Sequence, residues 1–391
     1  MASRSLISRR AVLAAPLAAL SCSPPKADGF LGYCFVANQV SRTVSVVDLY
    51  RRFRVIKQIA LDAAPSLVLR HPTKTKMFVL TPDSGTVQEI DGANLSVARR
   101  VSAGNSAVSM QLSPRGDALW VLYRDPASLV EISLDSLKPA RRVRLEGIPT
   151  AFALNTPAPN RPAFRAVVIG KDSPNITVAS LDGSRVERVI GTGGTPSLVL
   201  FRNDGQQIMA GCAERYLAIF ETATGKTVVR LPLPLAPRNY TTSSDGGQLF
   251  ISGDGMDGVV VVFPYTTQIW QTVLAGRAPG AMMSVDNPQG RLMVANPQNG
   301  SLTVLDVNDQ KLVAVVQVGQ EPCQILTTPA TNPQQQYILV VDRQSGDLAV
   351  IRNYSLNSPT LGSKPWLKSA PLFTMIPVGE SPVSAAVLPL A

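Results

Sequence analysis

The strongest constraint on this chain is a repeat. A strand-like apolar start recurs roughly every 41 to 45 residues, at Tyr33, Met77, Leu119, Arg165, Ile208, Leu249, Leu292 and Tyr337. The clearest unit runs Leu292-Met293-Val294-Ala295-Asn296, then Ser301-Leu302-Thr303-Val304-Leu305-Asp306, then a third apolar stretch ending Val318-Gly319. A fourth follows a proline, Pro322-Cys323-Gln324-Ile325-Leu326. Each unit therefore predicts four short strands, punctuated by turns such as Asn203-Asp204-Gly205 and Ser244-Asp245-Gly246, where glycine supplies the positive φ of a tight hairpin. Gly (28) and Pro (31) are frequent enough to serve every such turn.

Four strands of this length cannot bury both faces alone. Sheets stacked face to face around an axis can, which predicts an all-β β-propeller. Eight second strands and eight inner strands, most of them following a proline, predict eight four-stranded blades, with seven the alternative count. The chain starts at a second strand, Tyr33, and ends with an inner one, Pro382-Val383-Ser384-Ala385-Ala386-Val387-Leu388-Pro389. The C-terminal strand is thus expected to complete the first blade and close the ring.

Tyr33-Cys34-Phe35-Val36-Ala37-Asn38 with Thr43-Val44-Ser45-Val46-Val47-Asp48, and the unit at 292–329, resemble the YVTN-type β-propeller repeats of bacterial exported and surface proteins. The resemblance covers nearly all of 31–391 and is weaker around 149–240. It implies the fold and an extracytoplasmic setting, and hardly any chemistry.

With 45% apolar residues the chain is too hydrophobic for disorder, and no apolar run reaches the roughly 18 to 20 residues that span a bilayer. Residues 1–22 read as an export signal: Arg4, Arg9 and Arg10 precede an apolar run at 11–20. Ser8-Arg9-Arg10-Ala11-Val12-Leu13 resembles the twin-arginine export motif, with Val12 where Phe is commoner. Ala19-Leu20-Ser21-Cys22 resembles a lipobox, which makes Cys22 the expected lipidation site; cleavage nearby, for example after Ala27, is the plainer alternative. Residues 23–30 read as a tether and 31–391 as one propeller domain, exported to the periplasm or cell surface.

The net charge of +10 sits in the first half of the chain. Arginines cluster on expected outer strands: Arg51, Arg52 and Arg54; Arg99 and Arg100; Arg141, Arg142 and Arg144; Arg185 and Arg188. Such a band would attract anionic lipid, acidic polysaccharide or acidic protein, or would deter edge-to-edge aggregation. No aromatic platform interleaves with it, so nucleic acid is not an expected partner.

His71 is the sole histidine, and Cys34, Cys212 and Cys323 fit no metal or redox spacing, so no metal and no cofactor is expected. The cysteines read as buried hydrophobes, with a disulfide between two of them an alternative. A ring of residues at the inner-strand ends is the candidate channel-mouth binding site: Arg70, His71, Gln111, Asn155, Arg202, Thr242, Asp286 and Thr328. It could hold a small anion or an acidic peptide tail. His71 reads either as a general base or as a turn residue. Ser252-Gly253-Asp254-Gly255-Met256-Asp257-Gly258 is only loosely like a calcium loop and reads better as a hairpin turn. Long loops at 156–163 and 353–371, the latter with Trp366, are candidate binding loops. The leading expectation is a monomeric, non-enzymatic envelope scaffold that binds a protein, peptide or glycan, with no catalytic residue assigned. The alternative is a periplasmic enzyme or enzyme subunit of the quinone-dependent dehydrogenase-like or lactonase-like propeller type.

Overall fold

The computed structural model describes residues 29–157, 163–285, 290–309, 311–332, 335–356 and 371–390. Among the described residues thirty-two strands form eight antiparallel sheets of four, which confirms an eight-bladed propeller. Blade 1 combines 32–60 with 382–389. Blades 2 to 8 follow in chain order as 67–102, 105–144, 149–191, 196–232, 236–274, 282–317 and 322–377. Ring closure is as expected: Pro382–Pro389 is the inner strand of blade 1 and pairs antiparallel with Gly32–Asn38, Phe35 opposite Ala386 and Val36 opposite Ala385. One short helix, Asn353–Leu356, follows the third strand of blade 8.

The core explains why the second strands are apolar on both sides. Strand side chains alternate between sheet faces, and each blade is covered on both faces by neighbours. Cys34 and Val36 therefore pack toward blade 8, while Phe35 and Ala37 pack toward blade 2; all four are fully buried. Each of the eight blade junctions has its own apolar cluster among the described residues. Outer strands cover the core with one side only and alternate accordingly, as in Ser96–Ser102 and Gln268–Leu274.

Antiparallel pairing gives the ring two faces. One, the crossover face, carries the turns between second and third strands and the links from each outer strand to the next blade. The opposite face carries the turns between inner and second strands and between third and outer strands. Gly29 and Phe30, expected in the tether, pack onto the opposite face of blade 1, and Phe30 is buried with Leu49. The export-signal, lipobox and remaining tether residues lie outside the described residues.

Candidate functional site

An inner strand pairs with its second strand along one edge only, so main-chain groups on its other edge need other partners. Polar side chains of adjacent blades supply several. Gln111 Nε2 donates to the Phe152 carbonyl at 2.7 Å, and Ser197 Oγ to that of Pro237 at 2.6 Å. Gln324 does both jobs at the closing junction: its Nε2 donates to the Ala385 carbonyl at 3.2 Å, and its Oε1 accepts from the Ala385 amide at 2.6 Å. Ser384 Oγ accepts from the Val68 amide across the next junction. Gln111, a candidate ligand, is therefore committed to lacing blade 3 to blade 4.

The residues closing the inner hairpins are similarly committed. His71, Ser113, Asn155, Arg202, Ser243 and Thr328 occupy one structural position, defined by an amide that donates to the first or preceding residue of the second strand. His71 is buried, and its Nδ1 accepts from the Thr73 and Lys74 amides at 3.1 and 3.0 Å. Burial, with the charges of Lys74 and Lys76, holds its pKa below the usual value, in keeping with an imidazole that must stay an acceptor. Asn155 Oδ1 accepts from the Arg165 amide at 2.7 Å. Thr328 Oγ1 accepts from the Tyr337 amide at 2.8 Å and donates to the Gln335 carbonyl. Arg202 pairs with Asp204 at 2.8 Å and lies over the Tyr265 ring.

The proposed channel-mouth set thus mixes registers. Arg70 and Thr242 precede this position by one residue, so alternation turns them to the other sheet face. Gln111 precedes it by two, and Asp286 lies outside the described residues. The structure brings the described members of this set to one end of the inner strands but spends His71, Gln111, Asn155 and Thr328 on the fold.

Several concavities lie on the crossover face, and another of about 590 Å3 lies between the outer strand of blade 4 and the turn at 223–225 of blade 5. Between blades 6 and 7 a cleft of about 650 Å3 is lined by Arg238, Asp254, Asp257 and Gln298 among others. Arg238 Nε contacts Asp254 Oδ2 at 2.8 Å with both side chains largely exposed, and Asp257 Oδ1 accepts from the Ala278 amide at 3.0 Å. The calcium-like sequence is thus the turn between Leu249–Asp254 and Gly258–Phe263, with Gly255 at φ +95°. No cluster of three metal-ligating side chains occurs among the described residues. Smaller clefts lie between blades 3 and 4 (about 410 Å3, with Arg144, Lys171 and exposed Ile148 and Val189) and between blades 8 and 1 (about 470 Å3, with Gln58, Gln344 and Glu380).

These clefts were not singled out from the sequence, although a signal exists. At three junctions the glycine after the outer strand packs on the Asn or Asp ending the next second strand. A Cβ on Gly379 would lie 2.6 Å from Asn38 Cγ, one on Gly276 2.5 Å from Asn296 Oδ1, and one on Gly319 2.6 Å from Asp342 Cβ. Those paired residues mark the crossover face at the junctions of blades 6 and 7, 7 and 8, and 8 and 1.

At the rim, part of the arginine band is neutralised by carboxylates. Glu89 is buried between Arg99 and Lys76; burial opposes its ionisation, but their hydrogen bonds hold its carboxyl below the usual range. Arg100 pairs with Asp62, Arg141 with Glu131 and Arg115 with Asp182. Arg142 reaches Ser128 Oγ and the Ala103 carbonyl. The outer strands Gln268–Leu274 and Leu312–Gln317 carry no charge and expose Trp270, Leu274, Leu312 and Val315. Cys34 and Cys212 are buried and Cys323 is partly buried, all as free thiols. The loops proposed at 156–163 and 353–371 lie largely outside the described residues, Trp366 included.

No protein-family model and no curated protein matches this sequence. Among solved structures, the chain is similar to a dihydro-heme d1 dehydrogenase, NirN, in complex with DHE. That likeness has a TM-score of 0.69 and 16% identity over 95% of this chain and 78% of that one. It is also similar to the hydrazine synthase of Kuenenia stuttgartiensis (TM-score 0.53, 15% identity, 73% of this chain and 96% of that one). A third is a functionally unknown protein from Desulfotomaculum acetoxidans DSM 771 (TM-score 0.56, 14% identity, 74% and 98%). At these identities the likeness establishes the propeller alone.

Proposed function

We propose that this chain is an exported propeller of the YVTN type, anchored in the cell envelope through Cys22, whose crossover face binds a protein, peptide or glycan. The observation that carries this reading is the distribution of polar groups. Along the inner strands and their hairpins, Gln111, His71, Asn155, Thr328 and Gln324 are committed to main-chain partners. On the crossover face, Arg238, Asp254 and Gln298 line an open cleft. A rigid ring presenting loops from several blades suits an extended macromolecular ligand better than a small enclosed one.

The test is a photo-crosslinking residue placed at Gln298, with the same residue at Asn94 on the opposite face as control, in the native host. A discrete adduct from the first position but not the second supports the reading. Equal labelling from both, or none from Gln298, overturns it.

The alternative, an oxidoreductase or its subunit, draws on the likeness to a dehydrogenase over 95% of the chain. The sole histidine offers that reading no imidazole on the crossover face, since His71 closes a hairpin on the other side. A native mass spectrum showing a cofactor-sized adduct would favour the enzyme.

A further inference from the structure

The opposite face of blade 1 gathers three arginines at one turn and the start of the strand that follows it. The turn at 49–53 joins Thr43–Asp48 to Arg54–Ala60. It is pinned from both ends. Asp48 Oδ1 accepts from the Tyr50 amide at 2.8 Å. Phe53, at φ +45°, sets its ring against Tyr337 and Phe373, with centroids 5.5 and 4.8 Å away. A turn fixed in this way holds Arg51, Arg52 and Arg54 exposed, with Lys57 exposed further along the same strand. Among the described residues none of these four has an ion-pair partner, in contrast to Arg99, Arg100, Arg115 and Arg141.

The chain enters the fold at this corner. Gly29 packs directly against the main chain of Leu49 and Tyr50, and Phe30 is buried in the cluster that includes Leu49, with Phe53 packed against it. Cys22 is seven residues upstream of Gly29, a reach of at most about 25 Å fully extended. A lipid on Cys22 would keep this corner near the bilayer, where basic side chains within about a Debye length feel anionic headgroups.

We propose that the turn carrying Arg51 and Arg52, with Arg54 and Lys57, is a docking surface for anionic phospholipid headgroups that holds the ring with its crossover face away from the membrane. The tether argument rests on the lipidation reading above, whereas the basic surface is testable without it. A full-length Cys22→Ser chain is floated with vesicles of phosphatidylcholine alone and with vesicles that also contain phosphatidylglycerol. Each basic side chain near a membrane strengthens binding about fivefold, so the triple variant Arg51→Ala/Arg52→Ala/Arg54→Ala should bind phosphatidylglycerol vesicles roughly 100-fold more weakly. Charge reversal to Glu at the same positions should abolish binding, and Arg238→Glu on the crossover face should leave it unchanged. The Cys22→Ser chain with its arginines intact should also release as salt rises from ~0.05 to ~0.5 M. Binding that is indifferent to phosphatidylglycerol, or that survives the triple substitution, overturns the proposal. The anchor is judged separately, by the mass of the Cys22 peptide from native protein.

Discussion

Replacing Asp342 with asparagine should stabilise the ring at alkaline pH and do little at acid pH. Asp342 ends the second strand of blade 8 and is fully buried. Its Oδ2 accepts from the Gly319 amide at 3.0 Å, and its Oδ1 has no hydrogen-bond partner. Blades 1 and 7 carry asparagine at this position. Asn38 donates to Thr43 Oγ1 and Ser45 Oγ, and Asn296 to Thr303 Oγ1. Blade 8 has Asp347 and Ala349 where blade 1 has those hydroxyls, so the carboxylate gains a neighbouring negative charge and no hydroxyl donor. Burial pushes its pKa up to about 7; the Gly319 amide works against this, and Asp347 adds to it. A carboxyl raised in the folded state stabilises fully below its ordinary pKa of 3.8, and that stability is lost as pH rises through about 7. The gap corresponds to about 4 kcal/mol at most. Urea unfolding of wild type and Asp342→Asn should therefore give similar stabilities near about pH 4 and a variant more stable by about 2–4 kcal/mol near about pH 8. Because every other titrating group is common to both proteins, the difference isolates this site. A difference that does not change with pH would refute the assignment of a protonated, asparagine-like Asp342.

Removing residues 380–391 takes the inner strand from blade 1 and should cost more than about 5 kcal/mol; an unchanged melting temperature would exclude the closure. Gln324→Ala leaves both the amide and the carbonyl of Ala385 without that partner and should cost about 1–3 kcal/mol in denaturant unfolding, more than Gln344→Ala at the exposed turn nearby. His71→Ala removes the acceptor for two amides and should lower stability by about 1–3 kcal/mol without altering crosslinking from Gln298, a pattern that an imidazole acting on a ligand would reverse. Gly319→Ala forces a methyl against Asp342 and Ser345 and should cost about 1–3 kcal/mol by thermal melting.

The repeat alone specified the number of blades, the four strands in each and the strand that closes the ring. Those features follow from local patterning: strand periodicity, turn glycines and the prolines before inner strands all lie within one unit. The hairpin reading of the 252–258 glycines was legible for the same reason, as was the burial of Cys34 and Cys212 in apolar strands. The fate of the polar side chains was not legible. Gln111 finds its carbonyl 41 residues away in the next blade, and Ser45 finds that of Val378 across the closure, 333 residues away. Sequence spacing also could not separate Arg99, held on buried Glu89, from Arg51, which lies over the Tyr50 ring and has no ion-pair partner among the described residues. The chain determined its own ring because each blade's pattern is local. Only the tertiary structure decided which polar groups line the clefts and which charges are paired, because main-chain groups at the junctions are claimed by side chains from other blades and carboxylates by cations on neighbouring strands or blades.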